Sequence, residues 1–171
     1  MSLVALPFFL VETLHYSFAK AGLYLVPWPA AITLVAPLSG ELANRVRTAF
    51  LCCIGGGLLA AGLLWLAFLP MDHRGCLFVV GMVISGVGFA LFQTPNNKVL
   101  LLSAPKARSG AAGAMQGTAR LAGQTLGAII TSLLLGQFMM HVALHLSLVI
   151  AAGLAALAGA ISFTRASYES M

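Results

Sequence analysis

Long apolar runs without charge divide this chain. Ala21 to Gly40 is 20 residues without a formal charge, Thr48 to Met71 is 24, Gly75 to Asn97 is 23 and Leu121 to Thr164 is 44. A helix needs roughly 20 apolar residues to cross a hydrocarbon core about 30 Å thick. Only helices and closed barrels satisfy their backbone groups in that core. Barrel strands alternate polar and apolar residues, whereas these runs are continuously apolar. The pattern therefore predicts an all-α membrane protein of six transmembrane helices. They are placed at Ser2–Tyr16, Ala21–Leu42, Thr48–Leu69, Cys76–Leu102, Ser109–Phe138 and Val142–Phe163. The connections are short and carry the turn and charge signals HYSFAK, ANRVR, PMDHRG, SAPKAR and, more weakly, MMHVALH. No linker is long enough to separate two domains, so residues 1–171 read as a single six-helix membrane domain.

Composition sharpens this picture. Charged residues make up 8% of the chain, against roughly 25% in soluble domains. So few charges cannot clothe a soluble domain of this size. The partner that composition implies is a lipid bilayer. The net charge of +5 does not point to nucleic acid, because the basic residues sit singly at the ends of apolar runs and form no stripe. They set topology instead. Arg45, Arg47, Lys106, Arg108 and Arg165 fall on one side and Lys20 and Arg74 on the other. The richer side is expected to be cytoplasmic, together with the C-terminus. The first predicted helix is short: its residues reach only about 22 Å, which reads either as a tilted or interfacial segment or as the truncated start of a longer helix.

A few polar residues interrupt the apolar runs, and each admits two readings. In the fifth predicted helix Gly110, Gly113, Gly117, Arg120, Gln124, Gly127 and Thr131 recur at spacings of three or four, which places them on one face. Gly113, Gly117 and Gly127 are candidate helix-packing glycines, since small residues let helix backbones approach in lipid. A mid-membrane cation costs about 3 kcal/mol or more, so Arg120 either faces a polar cavity or snorkels to the interface. The run Gln93-Thr94-Pro95-Asn96-Asn97 either re-satisfies the backbone that proline frees or lines a cavity. Pro27 and Pro29 flank Trp28 and predict a kink or a late helix start. Trp28 belongs to the interfacial aromatic belt or offers a π-face to a cation. Glu12 is the one acidic residue within a predicted span apart from Glu41 at the end of the second, and is either a candidate proton site or a solvated interfacial carboxylate. Cys52, Cys53 and Cys76 have no metal-ligand spacing, and His141 and His145, four apart, lack the glutamate of an HExxH site. No nucleophile turn is visible. Neither an enzyme nor a metal or other cofactor is indicated.

Two stretches carry a more specific likeness: Leu6 to Val46, with PWP and GELANR, and Gly86 to Ile129, with FQTPNN and RSGAAGAMQGTARLAGQTLGA. Together they resemble the C-terminal half of major facilitator superfamily transporters and, within that family, the fourteen-helix drug:proton antiporters of the methyl viologen and quaternary-ammonium efflux type. The resemblance implies one of two six-helix bundles, each a pair of inverted three-helix repeats. It implies protons as coupling ion and a small cationic or amphipathic drug-like substrate bound between bundles, with Trp28, Gln93, Asn97, Arg120 and Gln124 as cavity candidates. It also implies a bacterial inner-membrane location and a separately encoded N-terminal half as a partner, with the chain inactive alone. Gly40, Asn44 and Arg45 match the family's cytoplasmic loop motif, but Asn44 stands where the family has aspartate, which weakens a charge-based latch. Glu12 falls where many relatives carry glutamine, so no proton role is inherited. Two alternatives remain open: a self-contained small homodimeric exporter using Glu12, and a non-transporting remnant or accessory membrane subunit.

Overall fold

The computed structural model describes residues 2–12, 15–69, 75–105 and 108–168, with side chains described from 4 to 164 within those ranges. Arg74 and Lys106, and the side chain of Arg165, lie outside the described residues. Among the described residues seven helical segments follow one another: α1 Ser2–Glu12, α2 Phe18–Leu25, α3 Pro27–Arg45, α4 Thr48–Ala67, α5 Cys76–Ser103, α6 Ser109–Gln137 and α7 Met140–Tyr168. Segments α2 and α3 form one rod, Phe18–Arg45, and this rod with α4, α5, α6 and α7 gives five helices long and apolar enough to cross a membrane. The protein is an all-α membrane bundle, as the charge-free runs predict.

The differences from prediction lie at the last helix, where α7 runs from Met140 to Tyr168 instead of Val142 to Phe163, and at the chain's first third. Helix α1 is described as far as Glu12, and Tyr16, its predicted end, lies outside the helix. His15 adopts a positive φ of 50°, a left-handed conformation that helices do not continue through, and the Tyr16 N–H turns back to the Leu10 carbonyl at 3.2 Å. The second rod starts three residues earlier than predicted, because Ser17 caps it: its hydroxyl accepts from the Lys20 N–H at 3.4 Å. At Val26, where the two prolines predict a kink or a late start, the backbone keeps helical torsions, φ −57° and ψ −37°, and the Val26 N–H still reaches the Gly22 carbonyl. Pro27 opens α3 at a position where a missing N–H is tolerated.

Helices α4, α5 and α7 make the tightly packed centre, with α3 closing against α5. Glycine permits these approaches. A Cβ built on Gly55 would lie 2.5 Å from the Phe92 backbone nitrogen, one on Gly56 would lie 2.8 Å from the Gly159 Cα, and one on Gly86 would lie 2.6 Å from the Trp28 carbonyl. In lipid, where burying apolar area gives no drive for association, such backbone proximity supplies dispersion contact instead. Polar ties accompany it. The buried Ser39 hydroxyl donates to the Ala90 carbonyl at 3.2 Å, joining α3 to α5. His145 Nδ1 lies 3.0 Å from the carbonyl of Ala67, the last residue of α4. A carbonyl only accepts, so Nδ1 carries the proton and donates. By contrast, α6 lies on the outside: 6% of its most apolar stretch is buried, against 50% for α4.

Candidate functional site

Between α3, α4, α5, α6 and α7 runs a cleft of about 840 Å³. Three local features build it. The close approach of Gly86 to the Trp28 carbonyl holds the α3 backbone against α5, so the Trp28 ring meets the Phe89 ring, centroids 5.3 Å apart and tilted by 45°. Pro95, fully buried in the second half of α5, is followed by Asn96 and Asn97, which line the cleft with Gln93 one turn earlier. Helix α6 contributes one face, Gln116, Ala119, Arg120, Gly123, Gln124, Gly127 and Ile130, at helical spacing.

All five residues expected at a cavity, Trp28, Gln93, Asn97, Arg120 and Gln124, line this one cleft. Arg120 supplies the only formal charge among the lining residues. It stands three residues short of the midpoint of α6, is exposed, and makes no ion pair among the described residues. Gln93 Oε1 is buried without a hydrogen-bond partner. Asn97 Oδ1 accepts from Gln116 Nε2, linking α5 to α6. Trp28 is half-buried and faces the cleft on one side. A second, mostly apolar cavity of about 310 Å³, lined by Leu6, Leu63, Met82 and Ser85 among others, lies on its other side.

The remaining candidates lie elsewhere. Glu12 is exposed at the end of α1 and does not line the cleft. Gly40, Asn44 and Arg45 sit in the last turns of α3. A Cβ on Gly40 would meet only Thr94 Cγ2, at 3.8 Å. Arg45 pairs with Glu41 at 2.8 Å on an exposed surface. Asn44 Oδ1 accepts from Lys98 Nζ, so the end of α3 is tied to α5 through a cation that stands on the neighbouring helix. Of the candidate packing glycines, Gly127 is buried in the cleft wall. Gly113 and Gly117 bring no helix backbone close: a Cβ on Gly113 would meet only Leu101 Cδ2, at 3.9 Å, and one on Gly117 would meet nothing within 4 Å. Within this chain, the close approaches fall on Gly55, Gly56, Gly62, Gly86, Gly88 and Gly159 instead.

Sequence reasoning missed Gln116 and Phe89 in the lining, whereas Asn96 belongs to the run that it read as a candidate cavity wall. Gln116 was within reach, since it stands one turn before Arg120, with Gln124 one turn after. The cleft-facing side of α6 is turned by less than a quarter turn from the predicted glycine stripe, toward Gln116, Ala119 and Gly123.

Comparison with known proteins follows the same lines. The family model described as Major Facilitator Superfamily matches residues 1–170. The chain is 43% identical over 165 residues to the uncharacterized transporter YebQ of Escherichia coli (strain K12), covering 96% of this chain and 36% of that protein. It is 34% identical over 128 residues to the multidrug resistance protein Stp of Mycobacterium tuberculosis, covering 74% and 24%. It is 28% identical over 132 residues to the riboflavin transporter RibZ of Clostridioides difficile (strain 630), covering 77% and 29%. The chain thus spans between a quarter and just over a third of the length of these relatives.

Proposed function

The chain belongs to the major facilitator superfamily, and from that premise we propose that it is the C-terminal, single six-helix bundle of a proton-coupled exporter of small amphipathic, drug-like compounds. The observation that carries this reading is the convergence of Trp28, Gln93, Asn97, Arg120 and Gln124 on one cleft. A transporter site near the bilayer midplane takes an apolar ligand through a few polar contacts, and an aromatic wall with scattered amides has that character. The exposure of Arg120 and Gln124 leaves the α6 side of the cleft open, the side on which an opposing bundle closes. The relative identified as a multidrug resistance protein supports the drug-like class. Cationic compounds as the subclass rest on the sequence resemblance alone. The coupling carboxylates and the rest of the substrate site then belong to a bundle outside this chain, such as a separately encoded N-terminal half. The excess of basic residues at the α3–α4 and α5–α6 connections supports a cytoplasmic C-terminus, and location in a bacterial inner membrane rests on the family resemblance.

Alternating access needs one bundle to rock against another. Reconstituted alone in liposomes under a proton gradient, the chain is expected not to move ethidium. Robust proton-driven extrusion by the chain alone would overturn the reading and favour a homodimeric exporter. In that case Glu12→Gln should abolish transport if Glu12 exchanges the proton.

A further inference from the structure

We infer that Arg120 is the specificity-determining residue of the cleft and that it selects aromatic compounds bearing an anionic or carbonyl oxygen. This rests on the transport reading above and names the substrate class of the same site. A guanidinium near the middle of a membrane-spanning helix needs compensation, since it costs about 3 kcal/mol or more in a bilayer. Among the described residues the chain supplies none. Of its four carboxylates, Glu41 is paired with Arg45 and Glu12 is exposed at the end of α1. Neither lines the cleft, and Asp72 and Glu169 lie outside the described residues. The guanidinium is a donor fork matched to carboxylate and carbonyl oxygens.

The other lining groups define the rest of the ligand. Asn97 and Gln116 engage each other, whereas the buried Gln93 Oε1 has no donor and can accept from a ligand N–H or O–H. Trp28 and Phe89 offer a ring surface. A compound that fits has a flat aromatic body, an oxygen acceptor toward Arg120 and a donor toward Gln93. A simple organic cation finds no counter-charge in this half of the site and is repelled by Arg120.

The test uses the chain in phosphatidylcholine nanodiscs with Trp65→Phe, which leaves Trp28 as the one indole of the two in the sequence. Two bromine quenchers of equal size, 4-bromobenzoate and 4-bromobenzylammonium, are titrated against Trp28 emission. We expect the anion to reach half-quenching at about tenfold lower concentration than the cation, as a charge-assisted contact provides. Arg120→Gln should erase that preference and Arg120→Lys should keep most of it. Equal quenching by both probes, or an anion preference unchanged in Arg120→Gln, overturns the proposal while leaving an amphipathic cleft in place. Failure of both probes to quench overturns the cleft reading as well. Acetate, which mimics a carboxylate side chain without a ring, should not displace bromobenzoate. Full displacement at matched concentration would mean that a bare carboxylate, such as one from an opposing bundle, is the natural partner of Arg120, and the proposal would fall.

Discussion

Helices α4 and α6 have similar requirements in a bilayer and opposite surroundings in the bundle. Half of the most apolar stretch of α4 is buried, because Gly55, Gly56 and Gly62 let α5 and α7 come within backbone contact of it. Helix α6 has glycines too, yet those at 110, 117 and 123 meet nothing within 4 Å. Its large apolar residues Leu121, Ile129 and Leu133 are exposed away from the cleft, which Gln116, Arg120 and Gln124 line. A glycine in a membrane helix is therefore no proof of close packing. It permits an approach, and a neighbour must be there to make it. The centre is built as a scaffold, and the periphery is free to meet lipid, ligand or another bundle.

The largest expected effect tests the scaffold. Gly55→Val places a branched side chain where a Cβ already lies 2.5 Å from the Phe92 nitrogen, so α4 and α5 must separate. Overpacking of this kind costs about 3 kcal/mol or more, and denaturant unfolding of the detergent-solubilised chain should show that loss or no folded chain at all. An unchanged midpoint would mean that the two helices do not pack there.

Next in size is the cleft wall. Replacing the buried, unpartnered Gln93 acceptor by leucine removes a desolvated polar atom and should raise stability by about 1 kcal/mol, measured in the same assay. A drop in stability would indicate that Gln93 is already satisfied.

The outer helix should behave in the opposite way to the scaffold. Gly117→Ala meets open space and gains helix propensity, so it should stabilise the chain by up to about 0.8 kcal/mol. Destabilisation would place a neighbour against α6 that this bundle does not contain.

The smallest effect is at the end of α3. A double-mutant cycle over Asn44→Ala and Lys98→Ala should give a coupling of about 0.5 kcal/mol for the bond that joins α3 to α5. Zero coupling would make the contact incidental. A value several times larger would make it a principal tie between the two helices.

The amino-acid pattern made the spans legible to within a few residues, because each charge-free run holds one or two membrane-length helices. It failed where a turn is decided by backbone geometry, as at His15, and where capping shifts a start, as at Ser17. The five cavity candidates were legible because polar side chains in an apolar run need a reason to be there. Gln116 was missed although the same helical period pointed to it, and the packing glycines of α4, α5 and α7 went unnoticed among many glycines with no distinguishing neighbours.

Hydropathy is a local property, so the sequence alone determined that the chain crosses a membrane as helices and roughly where each begins and ends. Only the tertiary structure decided which face of each helix looks inward, because that rotation depends on contacts between residues far apart in the chain. Gly86 beside Trp28, Gly56 beside Gly159 and Lys98 beside Asn44 set it. With the Asn97–Gln116 bond that joins α5 to α6, they gather Arg120, Gln93 and Trp28 around one cleft, which no period along a single helix could have specified.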